Sequence, residues 1–116
     1  MADGETVLRG ETTAFEVLTD VRGDSVVFCV LGEMDLSNVQ QLTDRFEATS
    51  RNNASKIVFD LTGLRYCDSS GIRALTKAAE RCDQLGVEMS VIGAHGVVQR
   101  LFEIADVVDV LNVESS

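Results

Sequence analysis

The longest uninterrupted apolar run of the chain is Val26 to Leu31, six residues rich in β-branched side chains and preceded by Ser25. It is far too short to span a bilayer, which takes about 20 apolar residues. Its near-continuous apolarity over Ser25 to Leu31 predicts a strand covered on both faces, in the middle of a sheet flanked by helices. Upstream, Phe15, Val17, Leu18 and Val21 predict a half-buried strand, and Arg22-Gly23-Asp24 supplies the turn that folds it onto the central one as a hairpin.

Downstream the spacing alternates between helical and extended. Ser37 and Gln40 have the spacing of a capping box, and Val39, Leu42 and Phe46 share one face of a helix over about 38–51, which the polar Arg51-Asn52-Asn53 ends. Lys56 to Leu61 predicts a third strand with Ile57, Phe59 and Leu61 on one side. A second helix begins near Ser69, carries Ile72, Leu75, Ala79 and Cys82 inward, and ends at Gly86 as a left-handed cap. Val87 to Ile92 predicts a fourth strand, broken by residues 93–96. Val97, Val98, Leu101, Phe102 and Ala105 then form a short third helix with Arg100 and Glu103 outward, and Val107 to Val113 a last strand.

The predicted order β-β-α-β-α-β-α-β is that of an α/β fold with a mixed sheet of about five strands. Residues 1–12 show no periodicity and read as a flexible leader, leaving 13–116 as one domain. Ten Lys and Arg against nineteen Asp and Glu give a net charge of −9, so nucleic acid and anionic membranes are poor partners. Acidic residues in Met1-Ala2-Asp3-Gly4-Glu5, where a secretory signal would be basic, predict a cytoplasmic chain. Cys29, Cys67 and Cys82 lack C-x-x-C spacing and read as reduced structural thiols, with Cys67 placed to feel any redox chemistry near the following loop.

Enzyme signatures are missing. His95 is the single histidine and reads as a solvated loop residue; no G-x-S-x-G elbow, P-loop or G-x-G-x-x-G occurs, and the acids lack metal-ligand spacing. No catalytic residue, cofactor or metal is therefore expected. Cys67-Asp68-Ser69-Ser70-Gly71 is the informative stretch, where the third strand has ended and the second helix starts. An N-cap, worth about 1 kcal/mol, accounts for one Asp or Ser there. It does not account for three in a row followed by Gly71, which keeps the loop small and open to an approaching partner.

With Gly32-Glu33-Met34-Asp35, with Val58-Phe59-Asp60-Leu61 leading through Leu64 to Asp68-Ser69-Ser70-Gly71-Ile72, and with Arg100-Leu101-Phe102, the chain resembles over residues 15 to 113 the anti-sigma factor antagonists of the STAS domain class. The resemblance implies a STAS fold and a non-enzymatic partner switch. Such proteins are phosphorylated on the first serine of D-S-S-G, here Ser69, by an anti-sigma factor that is itself an ATP-dependent serine kinase. Unphosphorylated, they bind the anti-sigma factor and free the sigma factor, and a serine phosphatase reverses the modification. It further implies partner binding through Asp35, Asp68, Ser69, Ser70 and Gly71, with Asp35 on the same sheet edge as Ser69. Two departures stand out: little or nothing of the family's C-terminal helix follows the last strand, and its proline before the third helix is missing. One alternative is a STAS interaction module of a stress-signalling complex without the kinase cycle. A receiver-like domain phosphorylated on Asp60 fits less well, since Arg22-Gly23-Asp24 is a poor acidic pair and no lysine lies beyond Lys77.

Overall fold

A computed structural model describes residues 14–50 and 54–114. The expected leader over 1–12 and the polar stop at 51–53 lie outside the described residues. The elements are β1 (Glu16–Arg22), β2 (Ser25–Met34), α1 (Val39–Ser50), β3 (Lys56–Asp60), β4 (Leu64–Cys67), α2 (Ser69–Leu85), β5 (Glu88–Ile92) and α3 (Gly96–Ile104). They form a mixed five-stranded sheet in the order β1-β2-β3-β5, with β4 paired to β2 beyond the end of β3. Only β1 is antiparallel to its neighbour, joined by the predicted turn at Gly23-Asp24; the pairs β2–β3, β2–β4 and β3–β5 are parallel.

Strand alternation builds the core. Val26, Ile57 and Met89 line up across three strands, as do Phe28, Phe59 and Val91, so one face of the sheet carries continuous apolar rows. All six are buried, and full burial of such side chains stabilises by about 1.5–3 kcal/mol each. The Phe28 and Phe59 rings stack with centroids 5.4 Å apart, and Phe46 from α1 lies 6.2 Å from Phe59, fastening helix to sheet. Leu42 and Phe46 of α1 and Ala74 and Ala78 of α2 meet over Phe59, which places both helices on this face. Gly86 ends α2 with φ 71°, as the spacing predicts.

Three expectations need correction. The central strand is fully buried on one face only: Val26, Phe28 and Val30 are buried, whereas Val27, Cys29 and Leu31 on the other are half-buried. The element order is β-β-α-β-β-α-β-α, because the strand expected at residues 107–113 is absent and Leu64–Cys67 forms an additional one, β4. The two exposed residues Arg65 and Tyr66 stand together at the middle of β4, so its apolar ends never alternate with polar ones over a readable length. Residues 107–113 form a turn: Leu111 N–H donates to the Val107 carbonyl at 2.9 Å and Val113 N–H to that of Val108 at 3.0 Å, while an isolated Val91–Val113 bridge ties it to the sheet. The apolar spacing there, one-two-one rather than strict alternation, suits a turn better than a strand. No further helix follows α3 among the described residues, and none of the helices is long and apolar enough to cross a membrane.

The turn is nonetheless part of the core, since Leu111 is completely buried and Val110 is 54% exposed. Leu111→Ala is expected to cost about 2–5 kcal/mol and Val110→Ala to stay within about 0.5 kcal/mol of wild type, as measured by urea unfolding.

Candidate functional site

The carboxyl ends of parallel strands form an edge where loops leave the sheet with free backbone groups, the usual position of ligand crevices in α/β folds. Here β2 delivers Asp35 and β4 delivers Asp68 to that edge. The two strand ends are neighbours, because Met34 pairs with Cys67 and the Met34 carbonyl accepts from Asp68 N–H at 3.2 Å.

Asp68 is the N-cap of α2, in extended backbone at φ −100°, ψ −170°. Its Oδ1 accepts from the N–H groups of Ser70 at 2.9 Å and Gly71 at 3.3 Å, and the Ser70 hydroxyl donates a short hydrogen bond to the same oxygen. The Ser70 hydroxyl is the largest cause holding the Asp68 carboxyl below the ordinary carboxylate range. Partial burial works against it, and the N–H groups of Gly71, Ser70 and Leu36 add to the lowering. Ser70 is 7% exposed and spent on bracing the cap. Ser69, the first residue of the helix, is exposed, and its hydroxyl makes no hydrogen bond among the described residues. Capping therefore consumes Asp68 and Ser70 and leaves Ser69 unused, which divides the competing readings of this stretch residue by residue.

Gly71 has a different reason from the one its sequence position suggests. It is buried, and a Cβ there would lie 2.9 Å from Met34 Cε and 3.2 Å from Cys67 Cβ. The glycine lets the first turn of α2 rest on the sheet edge; it does not open the loop surface.

Asp35 is half-buried and organises its own loop. Its Oδ1 accepts from Ser37 N–H at 2.9 Å and Ser37 Oγ at 2.6 Å, and its carbonyl accepts from Asn38 and Val39 N–H at 3.1 and 2.9 Å. The expected capping box of Ser37 and Gln40 does not form: α1 starts at Val39, which places Ser37 one residue before the N-cap position, and the Gln40 amide donates to Asp44 at 2.9 Å. The structure brings Asp35, Asp68 and Ser69 to one edge. It adds Leu36, which sequence spacing did not single out and whose N–H reaches toward Asp68 from the neighbouring loop. Asp60 accepts from Thr62 N–H and Oγ1 at 3.0 and 2.7 Å, and exposed His95 bonds the Thr62 carbonyl at 2.9 Å. Among the described residues no three His, Cys, Asp or Glu side chains gather as metal ligands.

Residues 16–116 match the family model described as STAS domain. The chain belongs to the STAS domain family. Among curated relatives, the anti-sigma-B factor antagonist of Listeria monocytogenes is 28% identical over 94 residues, covering 78% of this chain and 82% of its own length. Among solved structures, an anti-sigma factor antagonist from Mycobacterium paratuberculosis superposes with a TM-score of 0.82 at 16% identity, over 91% of this chain and 90% of that one. The phosphorylated form of the Bacillus cell fate determinant SpoIIAA superposes with a TM-score of 0.67 at 17% identity, over 89% and 93%. Membership of this family leaves the receiver-like reading of Asp60 without support.

Two outcomes follow from the site's chemistry. Asp68 has a depressed pKa in the folded state, so its charged cap stabilises the fold above the ordinary carboxylate pKa and that stability is lost as pH falls through the folded value. Asp68→Ala is expected to cost about 0.5–2 kcal/mol at pH 7 and to flatten the acid limb of the stability–pH curve, measured by urea unfolding between pH 2 and 7. Burial first, and the Asp68 charge second, push the Cys67 thiol up to about 11; burial alone pushes Cys82 up to about 11. Both are expected to resist iodoacetamide at pH 7.5 in the native protein and to react on unfolding, because the thiolate is the nucleophile. Mass spectrometry of the native and urea-treated protein checks this, and fast native labelling of Cys67 would favour a redox role instead.

Proposed function

We propose that this STAS domain, over residues 13–116, is an anti-sigma factor antagonist, a non-enzymatic switch whose binding is controlled by phosphorylation of Ser69. The observation that carries the reading is that Ser69 is the one polar side chain of Asp68-Ser69-Ser70-Gly71 left exposed and unbonded when the helix cap is complete. The names of the curated relatives and the solved phosphorylated form of SpoIIAA support it. The partners are an anti-sigma factor serine kinase, which both binds and phosphorylates the antagonist, and a serine phosphatase. No cofactor takes part, and neither nucleic acid nor membrane is a partner.

The roles follow from position. Asp35, Asp68 and Ser69 form the partner-binding face, with Ser70 and Gly71 beneath it as the brace and the packing contact that fix its shape. A phosphate on Ser69 carries about −1.5 to −2 charges and sits exposed at the N-terminus of α2, where the helix dipole favours an anion while Asp68 already takes the N–H groups of Ser70 and Gly71. The isolated domain therefore tolerates it. In the complex the same group is desolvated against a surface fitted to a neutral hydroxyl, and an unpaired buried charge costs several kcal/mol. Each 1.4 kcal/mol is about tenfold in affinity, so release follows.

The test is to incubate the protein with purified kinase anti-sigma factors and ATP and to map the phosphopeptide. Phosphate is expected on Ser69, and Ser70→Ala is expected to remain a substrate if the weakened cap still holds the loop. Ser69→Ala should bind constitutively, while Ser69→Glu should bind at least tenfold more weakly with its melting temperature within about 2–4 °C of wild type. Modification on Ser70, or undiminished binding by Ser69→Glu, would leave the STAS module without a kinase cycle as the better reading.

A further inference from the structure

Leu36 is 76% exposed, the highest value among the large hydrophobic residues described, and it sits beside the cap that precedes Ser69. A single exposed leucine ordinarily means nothing. This one is displayed on a turn that is tied down on every side: Asp35 N–H donates to Asn38 Oδ1 at 2.9 Å, Asn38 Nδ2 donates to the Glu33 carbonyl at 3.0 Å, and Ser37 gives both its N–H and its hydroxyl to Asp35 Oδ1. The Leu36 N–H is also among the groups that favour the Asp68 carboxylate, the same carboxylate that caps α2 one residue before Ser69. The backbone turn that displays Leu36 is thus fixed at the point where the two loops touch.

Resting on the antagonist reading above, we propose that Leu36 is the apolar anchor of the anti-sigma factor interface, entering an apolar socket on the partner whose rim is basic. The rim chemistry follows from the carboxylates of Asp35 and Asp68 that flank the anchor, on a chain of net charge −9. A turn already held in place leaves only the Leu36 side chain to be ordered on docking, and centrally buried anchors carry most of an interface's affinity. The placement also says how a phosphate on Ser69 acts: it puts a strongly hydrated group beside the residue that must be dried for the complex to form.

Binding of the unphosphorylated protein to the purified anti-sigma factor that modifies Ser69 is measured by calorimetry with ADP present, so that Ser69 stays unmodified. Leu36→Ala is expected to weaken binding roughly ten- to a hundredfold, Leu36→Asp to abolish it, and Leu36→Met to stay within about threefold of wild type because it keeps apolar volume. All three should keep the wild-type melting temperature, since the side chain is in water. Wild-type affinity in Leu36→Ala would overturn the anchor while leaving the antagonist reading intact. If the wild-type protein bound none of the anti-sigma factors tried, that reading would fall and the anchor with it. Sedimentation velocity of the chain alone covers the remaining occupant: a wild-type dimer that Leu36→Asp dissolves would assign Leu36 to self-association and overturn the proposal.

Discussion

Strand β2 is paired along both edges by three different strands, and the position of everything else follows from that. Residues 25–31 pair antiparallel with β1; on the other edge residues 25–29 pair with β3 and residues 32–34 with β4. The change of partner coincides with a register shift at Gly32, whose N–H donates to the Gly63 carbonyl at 3.0 Å. At that point β3 has ended, Leu61 N–H has turned to the Ile92 carbonyl of β5 at 2.8 Å, and Leu64 closes a turn back onto Leu61. A four-residue strand such as β4 has too few bonds to stand alone; the overhanging end of β2 gives it a template.

That overhang is what builds the site. Because Met34 pairs with Cys67, the chain leaves the sheet at two adjacent points, Asp35 and Asp68, and both loops solve the same problem of free backbone groups with one carboxylate. Asp35 serves the entry to α1 and Asp68 the entry to α2. Each carboxylate is held by local donors, so the edge is acidic and rigid before any partner arrives. Gly71 completes the arrangement by letting α2 approach close enough for its first residue to sit on the rim while its second is buried.

Local chemistry was legible in the sequence wherever a residue's role depends on its near neighbours. The hairpin turn at Gly23-Asp24, the apolar stripe of α2 and its cap at Gly86 all answer to short-range rules. Asp68-Ser69-Ser70-Gly71 was legible as a helix start with more polar groups than a cap requires; which serine was surplus was not, because that depends on the depth at which the cap sits against Met34 and Cys67. The Ser37–Gln40 spacing misled for a related reason: Asp35, outside the motif, takes the Asn38 and Val39 N–H groups on its carbonyl, and the helix starts only at Val39, one residue too late for Ser37 to be its cap. The strand at Leu64–Cys67 and the turn at 107–113 were missed because both exist through pairing with distant residues. Leu64, Tyr66 and Cys67 become a strand only because the end of β2 supplies Gly32, Glu33 and Met34 as partners, and Val107 to Val113 read as strand although only Val113 bridges to one. The proximity of Leu36 to Asp68 is likewise a product of sheet register.

The scale of the charges constrains how the proposed switch at Ser69 would work. The chain already carries −9, so a phosphate adds about −1.5 to −2 to a net field that repels anions at long range. At physiological salt that field is screened within about 8 Å, and a change of this size in the total alters long-range encounter only modestly. A decisive change in affinity therefore has to come from contact range, where the cost of stripping water from a dianion is set by what it touches. In the proposed switch Ser69 is suited to that, because it lies exposed at the helix N-terminus, where the dipole favours an anion, and the cap beneath it is held by Asp68, Ser70 and Gly71 without it. On the proposed reading the penalty of the phosphate therefore falls chiefly on whatever surface closes over Ser69, since the exposed side chain leaves the group in water in the free domain.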